Sequence, residues 1–321
     1  MLRGFHGGRM FAGFAVFCAI TALALWRDHE FSAATVAMRR EAHAQTTWVA
    51  CNRNARNDRP STFRPLSDRA AAALVTPEPE VRPANGKPYT IDGVRYPAPN
   101  DYVPTAAQVA QFRRAKSSAG QTNIQFNPYY QYVDGHDGMS NPSTDDLIQW
   151  AAHKWGIPEN WLRAEYVRET YWNDFLLGDA SPVSASWYKL YPVQARVPHS
   201  SKVYQSMGLT QVRWAPYGVL HPGTEPLRWL STAFNVDYQA ATLRFYYDNP
   251  QGSRSAWNDP SYQPCQQWNS VGAWFSPYPW NNTGQADYVH SVQQILAQRA
   301  WTSSSFVDWS PSSFPPGLKF R

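Results

Sequence analysis

The sequence predicts a mainly α-helical protein, and three observations carry that expectation. Apolar residues recur at helical spacing in several stretches after Asn141-Pro142, capping residues with Pro or Gly bound those stretches, and no segment holds a long period-two alternation. In chain order, Pro104 to Phe112 forms one short helix, with a Pro and a capping Thr105 at its start. Ser143 or Thr144 caps a second helix that runs through Trp155, and Gly156 ends it. Pro158 opens the next helix at its first turn, with Trp161, Leu162, Ala164 and Val167 as apolar positions before Glu169. The short Gly-Ile-Pro link makes these two an α-helical hairpin. Further helices are expected over Thr232 to Tyr247 and Gln285 to Trp301.

Before this helical part lie two segments of different character. Arg3 and Arg9 precede an almost unbroken apolar run from Met10 to Trp26, followed by Arg27, Asp28 and Glu30. The run (residues 1–26) reads as an export signal or signal anchor. It exceeds an ordinary signal core and only just reaches the roughly 17 residues needed to span a bilayer, so cleavage and membrane anchoring both stand. Ala22-Leu23-Ala24 and Ala42-His43-Ala44 are the cleavage candidates, and positive charge before the run predicts that the rest crosses the membrane to the cell envelope or beyond. Residues 27–135 are Pro-, Asn- and Ala-rich with little periodicity, and read as an extended, irregular stalk or accessory region.

Of 321 residues, 43% are hydrophobic, including 15 Trp, 18 Tyr and 15 Phe, so a sizeable core is available. Only 17% are charged, which leaves a surface of amides, hydroxyls and aromatic groups suited to saccharides. The net charge of +5 is spread along the chain without a Lys/Arg run, which argues against nucleic acid as a partner. No metal-ligand cluster, phosphate loop or Gly-x-Ser-x-Gly elbow is present, so neither metal nor cofactor is expected. Cys51 and Cys265 are disulfide candidates in an oxidising compartment, the alternative being two separate thiols.

Glu169 is the candidate for chemistry. A carboxyl near the end of an amphipathic helix, among Tyr166, Tyr171 and Trp172, is desolvated and holds its proton near neutral pH, the state of a general acid. Glu165 lies one turn earlier; it either tunes Glu169 or pairs with Arg168 or another cation. Downstream, Ser206-Met207-Gly208-Leu209-Thr210-Gln211 reads as a tight glycine turn with polar ends.

Four segments in order resemble the lytic transglycosylase domain of the soluble, goose-lysozyme-like type. These are Ala151 to Ala164 leading into Glu169-Thr170, the Ser206 to Gln211 turn, Asn235 to Ala241, and Trp268-Asn269-Ser270-Val271-Gly272 followed by Asp287-Tyr288-Val289. The resemblance implies a lysozyme-like helical domain with a substrate cleft over residues 136–301, and residues 302–321 as a tail. It also implies that Glu169 cleaves peptidoglycan glycan strands, first as acid and then as base, leaving a 1,6-anhydro end. Thr170, Met207, Gly208, Leu209, Gln211, Asn269 and Tyr288 then map to substrate contacts. Thr170, Ser206 and Thr210 depart from the family's Ser, Ala and Met, and the stretch between Glu169 and Gly208 is much longer than the family's. That stretch reads as a loop beside the cleft, either a substrate lip or a plain surface insertion, and its Asp179 is the candidate second carboxylate. Trp257, Trp268, Trp274 and Trp280 offer stacking faces. A true lysozyme and a silent glycan-binding module are the rival expectations, and a monomer is assumed.

Overall fold

A computed structural model describes residue 48 and residues 63–77, 88–91, 94–117, 120–182, 202–213, 221–248, 265–276, 282–303 and 306. The signal segment, Cys51, Trp257, Trp280 and the middle of the long insertion lie outside the described residues. No helix among the described residues is long and apolar enough to cross a membrane.

The helices dominate. They are α1 (Asp68–Ala72), α2 (Ala106–Arg114), α3 (Asn123–Phe126), α4 (Thr144–Trp155), α5 (Glu159–Thr170), α6 (Leu227–Leu230), α7 (Thr232–Asp248), α8 (Gln267–Phe275) and α9 (Thr283–Gln298). The sequence punctuation acts as expected. Thr105 and Gln108 close a reciprocal box at the start of α2, and Ser143 does the same with Asp146 on α4. Gly156 ends α4 in the left-handed conformation at φ 61°, which a residue without a Cβ adopts freely. α1, α3, α6 and α8 were not among the expected helices.

α7 is the axis of the fold. Every residue from Thr232 to Asp248 is buried, and α4, α6 and α8 all pack on it. A helix buried on all sides has no solvent face, so its polar groups require partners inside the protein. Asp237 accepts from Lys154 (2.8 Å) and Trp155 (2.7 Å) of α4, Arg244 pairs with Asp248 (2.7 Å), and Asn235 and Gln239 serve the candidate site. α5 packs on α4 and α9, and α9 packs on α8, so α5, α8 and α9 form the side of the body that carries Glu169.

Part of the 27–135 region is an accessory layer on this body. Phe112, Tyr129, Tyr130 and Val133 are buried in the same core as α4 and α7, the backbone N–H groups of Asp134 and Gly135 bond Asp237, and Lys154 bonds Asp68 of α1 (2.6 Å). The layer is irregular, with a 3-10 turn at Pro128–Tyr132 and the hairpin β1 (Tyr89–Ile91) and β2 (Val94–Tyr96). Its aromatic anchors are therefore spaced without helical period. The long insertion also contains regular structure. β3 (Leu177–Pro182) pairs antiparallel with β4 (Lys202–Met207), which pairs with β5 (Val212–Arg213).

Candidate active site

Glu169 lies in the last turn of α5, and residues from three other parts of the chain meet there. Its Oε1 accepts from the Tyr288 hydroxyl of α9 at 2.5 Å. Tyr288 stacks on Phe275 of α8 with ring centroids 5.2 Å apart, and the Arg168 guanidinium lies over the Tyr288 ring, 5.4 Å from its centroid. Phe275 is half exposed, so the ring stacked on Tyr288 reaches solvent. Burial pushes Glu169 up to about 7, with the charge of Asp179 adding to it, while the Tyr288 hydroxyl, Arg168 and the Trp274 indole pull the other way. The desolvating neighbours differ from those expected. Tyr171 points outward, 61% exposed, Trp172 packs edge-on against Phe306, and Tyr166 bonds Gln239; Tyr288 and Trp274 surround the acid instead.

The glycine turn is bonded to the end of α5 and to α8. Gly208 adopts φ 80°, and a Cβ there would lie 2.2 Å from the Arg228 carbonyl oxygen and 2.6 Å from the Asn235 amide. The close approach that requires glycine is thus to α6 and α7. Other groups of the turn are bonded within the protein. Thr210 N–H donates to Asn235 (2.8 Å), Thr210 C=O accepts from the Trp274 indole (3.2 Å), and Leu209 C=O accepts from Thr170 (2.9 Å). Gln211 spans the turn, its amide donating to Leu176 C=O and Gly208 C=O, each at 3.0 Å. Met207 and Leu209 are buried at 4% and 1%. Thr170, Met207, Leu209 and Gln211, expected as substrate contacts, are therefore bonded or packed as the frame that sets the turn against α5.

The remaining candidates divide. Asp179 stands on β3 at φ 51°, where its carboxylate accepts from Ser206 across the hairpin and lies 3.8 Å from Arg213. The hairpin thus brings a second carboxylate whose charge reaches Glu169. Glu165 bonds Gln239 (2.8 Å), lies 3.4 Å from the Tyr288 hydroxyl, and has no ion pair among the described residues, which removes the pairing with Arg168. Asn269 makes a local bond to Gln266 (2.5 Å), and Trp268 stacks on Trp161 at 3.8 Å, which commits that tryptophan to packing. Sequence reasoning missed Gln239 and Phe275. His221, neutral because burial lowers it to about 4, backs Trp274 at 5.6 Å. Among the described residues, no group of three His, Cys, Asp or Glu side chains is arranged to hold a metal.

No protein family, curated protein or solved structure matches this chain. What the arrangement can do chemically rests on its own geometry. It holds one carboxyl poised between its acid and base forms at neutral pH, a phenol donating to that carboxyl, and an exposed ring beside both.

Proposed function

We propose that this protein is an exported peptidoglycan lytic transglycosylase with a lysozyme-like cleft, in which Glu169 is the catalytic residue. The observation that carries the reading is a half-buried carboxyl raised to about 7 with a tyrosine hydroxyl on one oxygen. A group so poised donates a proton at neutral pH and takes one back in the same turnover. Glu169 protonates the glycosidic oxygen between N-acetylmuramic acid and N-acetylglucosamine, and the bond to the anomeric carbon breaks. The substrate's own acetamido oxygen steadies that electron-poor carbon. Glu169, now a carboxylate bonded by Tyr288, removes the proton of the muramoyl C6 hydroxyl as that oxygen closes on the anomeric carbon, which regenerates the acid. Phe275 offers a stacking face for a sugar ring beside Glu169.

Asp179 supports a second reading, a lysozyme-type hydrolase in which that carboxylate activates water. Mass spectrometry of muropeptides released from purified peptidoglycan separates the two. Anhydro ends from the wild type and none from Glu169→Gln are expected. Reducing ends make the protein a hydrolase, and glycan binding without release makes it a non-catalytic wall-binding module.

A further inference from the structure

Glu165 is a buried carboxyl that the proposed reaction does not use. It lies one turn before Glu169 on α5 and is 1% exposed. Its Oε1 accepts from Gln239 at 2.8 Å and sits 3.4 Å from the Tyr288 hydroxyl, whose proton goes to Glu169 at 2.5 Å. Its Oε2 is buried with no hydrogen-bond partner among the described residues. Leaving an oxygen of an ionised carboxylate bare and shut away from water costs far more than leaving one bare on a neutral acid. The groups facing Glu165 point the same way. They are Glu169 and Tyr166 on its own helix, the uncharged amide of Gln239 on α7, and Tyr288 on α9; Asp237, the nearby acid of α7, is committed to Lys154. Around Glu169 itself stand Arg168, Asp179, Tyr288 and Trp274.

We propose that Glu165 is a positioning residue of this site, a protonated carboxyl that acts on Glu169 through the Tyr288 hydroxyl both share. Tyr288 has one proton to give. With Glu165 neutral, no second anion competes for it, and the hydroxyl stays on Glu169 when Glu169 loses its own proton. An ionised Glu165 would draw the hydroxyl away and place a second negative charge one helical turn from the first. Glu169 is partly exposed beside Arg168, whereas Glu165 is shut in with one bare oxygen, so Glu169 ionises first; burial raises Glu165, and the charge of Glu169 raises it further. The cycle of acid and base then runs through a single negative charge. The catalytic meaning of this pair rests on the transglycosylase reading, but its titration does not.

The test is 13C NMR of the full chain labelled at the glutamate side-chain carboxyls, followed from pH 4 to 10, with Glu165→Gln and Glu169→Gln to assign the signals. Glu169 is expected to titrate near 7 while Glu165 keeps the chemical shift of a neutral acid through that step and titrates only after it. In Glu169→Gln the Glu165 midpoint falls, because its charged neighbour is gone. Glu165→Gln leaves the Glu169 midpoint within about 0.3 of a pH unit, since one neutral group replaces another, and Tyr288→Phe raises it by about one unit, roughly tenfold in the ionisation equilibrium. A Glu165 that is already a carboxylate at pH 7 overturns the proposal. So does a Glu165 midpoint unmoved in Glu169→Gln, or a Glu169 midpoint that drops in Glu165→Gln. A correct pair of titrations with no muropeptide release overturns the catalytic reading alone.

Discussion

Replacing Glu169 by Gln should make the protein more stable, by an amount that depends on pH. In the folded state burial holds this carboxyl at about 7, against an ordinary value of 4.5. Below pH 4.5 the group is protonated in the folded and unfolded chains alike, and burial carries no ionisation penalty. Between the two values the unfolded chain ionises while the folded one keeps its proton, so stability falls as pH rises. Each unit costs about 1.4 kcal/mol, and the full penalty above pH 7 is about 3 kcal/mol, or nearer 2 kcal/mol once residual water access at a half-buried group is allowed for. The amide of Gln has no such titration and still accepts from Tyr288. Urea unfolding of wild type and Glu169→Gln at pH 4, 6, 7.5 and 9 reads the effect, and the difference at pH 4 removes any pH-independent part. Stability curves that run parallel across this range would refute the claim that Glu169 is held protonated by burial, and with it the general-acid assignment.

Gly208→Ala should cost about 2 kcal/mol or more, read as a lower midpoint in thermal unfolding, because φ 80° is strained for Ala and the new methyl meets the Arg228 carbonyl. Thr170→Val should lower stability by about 1 kcal/mol and weaken peptidoglycan turnover, whereas Thr170→Ser, which keeps the hydroxyl on Leu209 C=O, should stay close to wild type in both assays. Trp274→Phe removes the donor to Thr210 C=O and a group that favours the Glu169 anion, so the Glu169 titration should move upward from 7 in the carboxyl NMR spectrum. Activity of the wild type should decline above pH 7 as the acid form of Glu169 is depleted, about tenfold per unit, in an initial-rate pH profile.

Much of the helical frame was legible because its signals are local. Ser143 with Asp146, Thr105 with Gln108 and the left-handed Gly156 each act within one turn, and the structure places them at helix ends as read. Glu169 was legible as a charged residue among apolar neighbours. The strands were not, because Leu177-Gly178-Asp179-Ala180-Ser181-Pro182 carries no alternation of its own and is held by its pairing with β4. Gln239 was hidden for the opposite reason. On a helix buried all round, no polar face sets a functional amide apart from Asn235, Asp237 or Arg244, and only the partner across the core shows what each one does. Tyr288 was assigned from resemblance, as its own surroundings in sequence say little; in the structure its hydroxyl bonds Glu169.

Glu169, Thr210, Trp274 and Tyr288 meet across more than a hundred residues of chain, and the last arrives on the final long helix. During synthesis, an unfinished chain that has made Glu169 but not α9 lacks the Tyr288 hydroxyl and the helix that packs on α5. On the proposed function, the acid is therefore assembled only once α9 is complete, and a chain cut short before residue 288 lacks it.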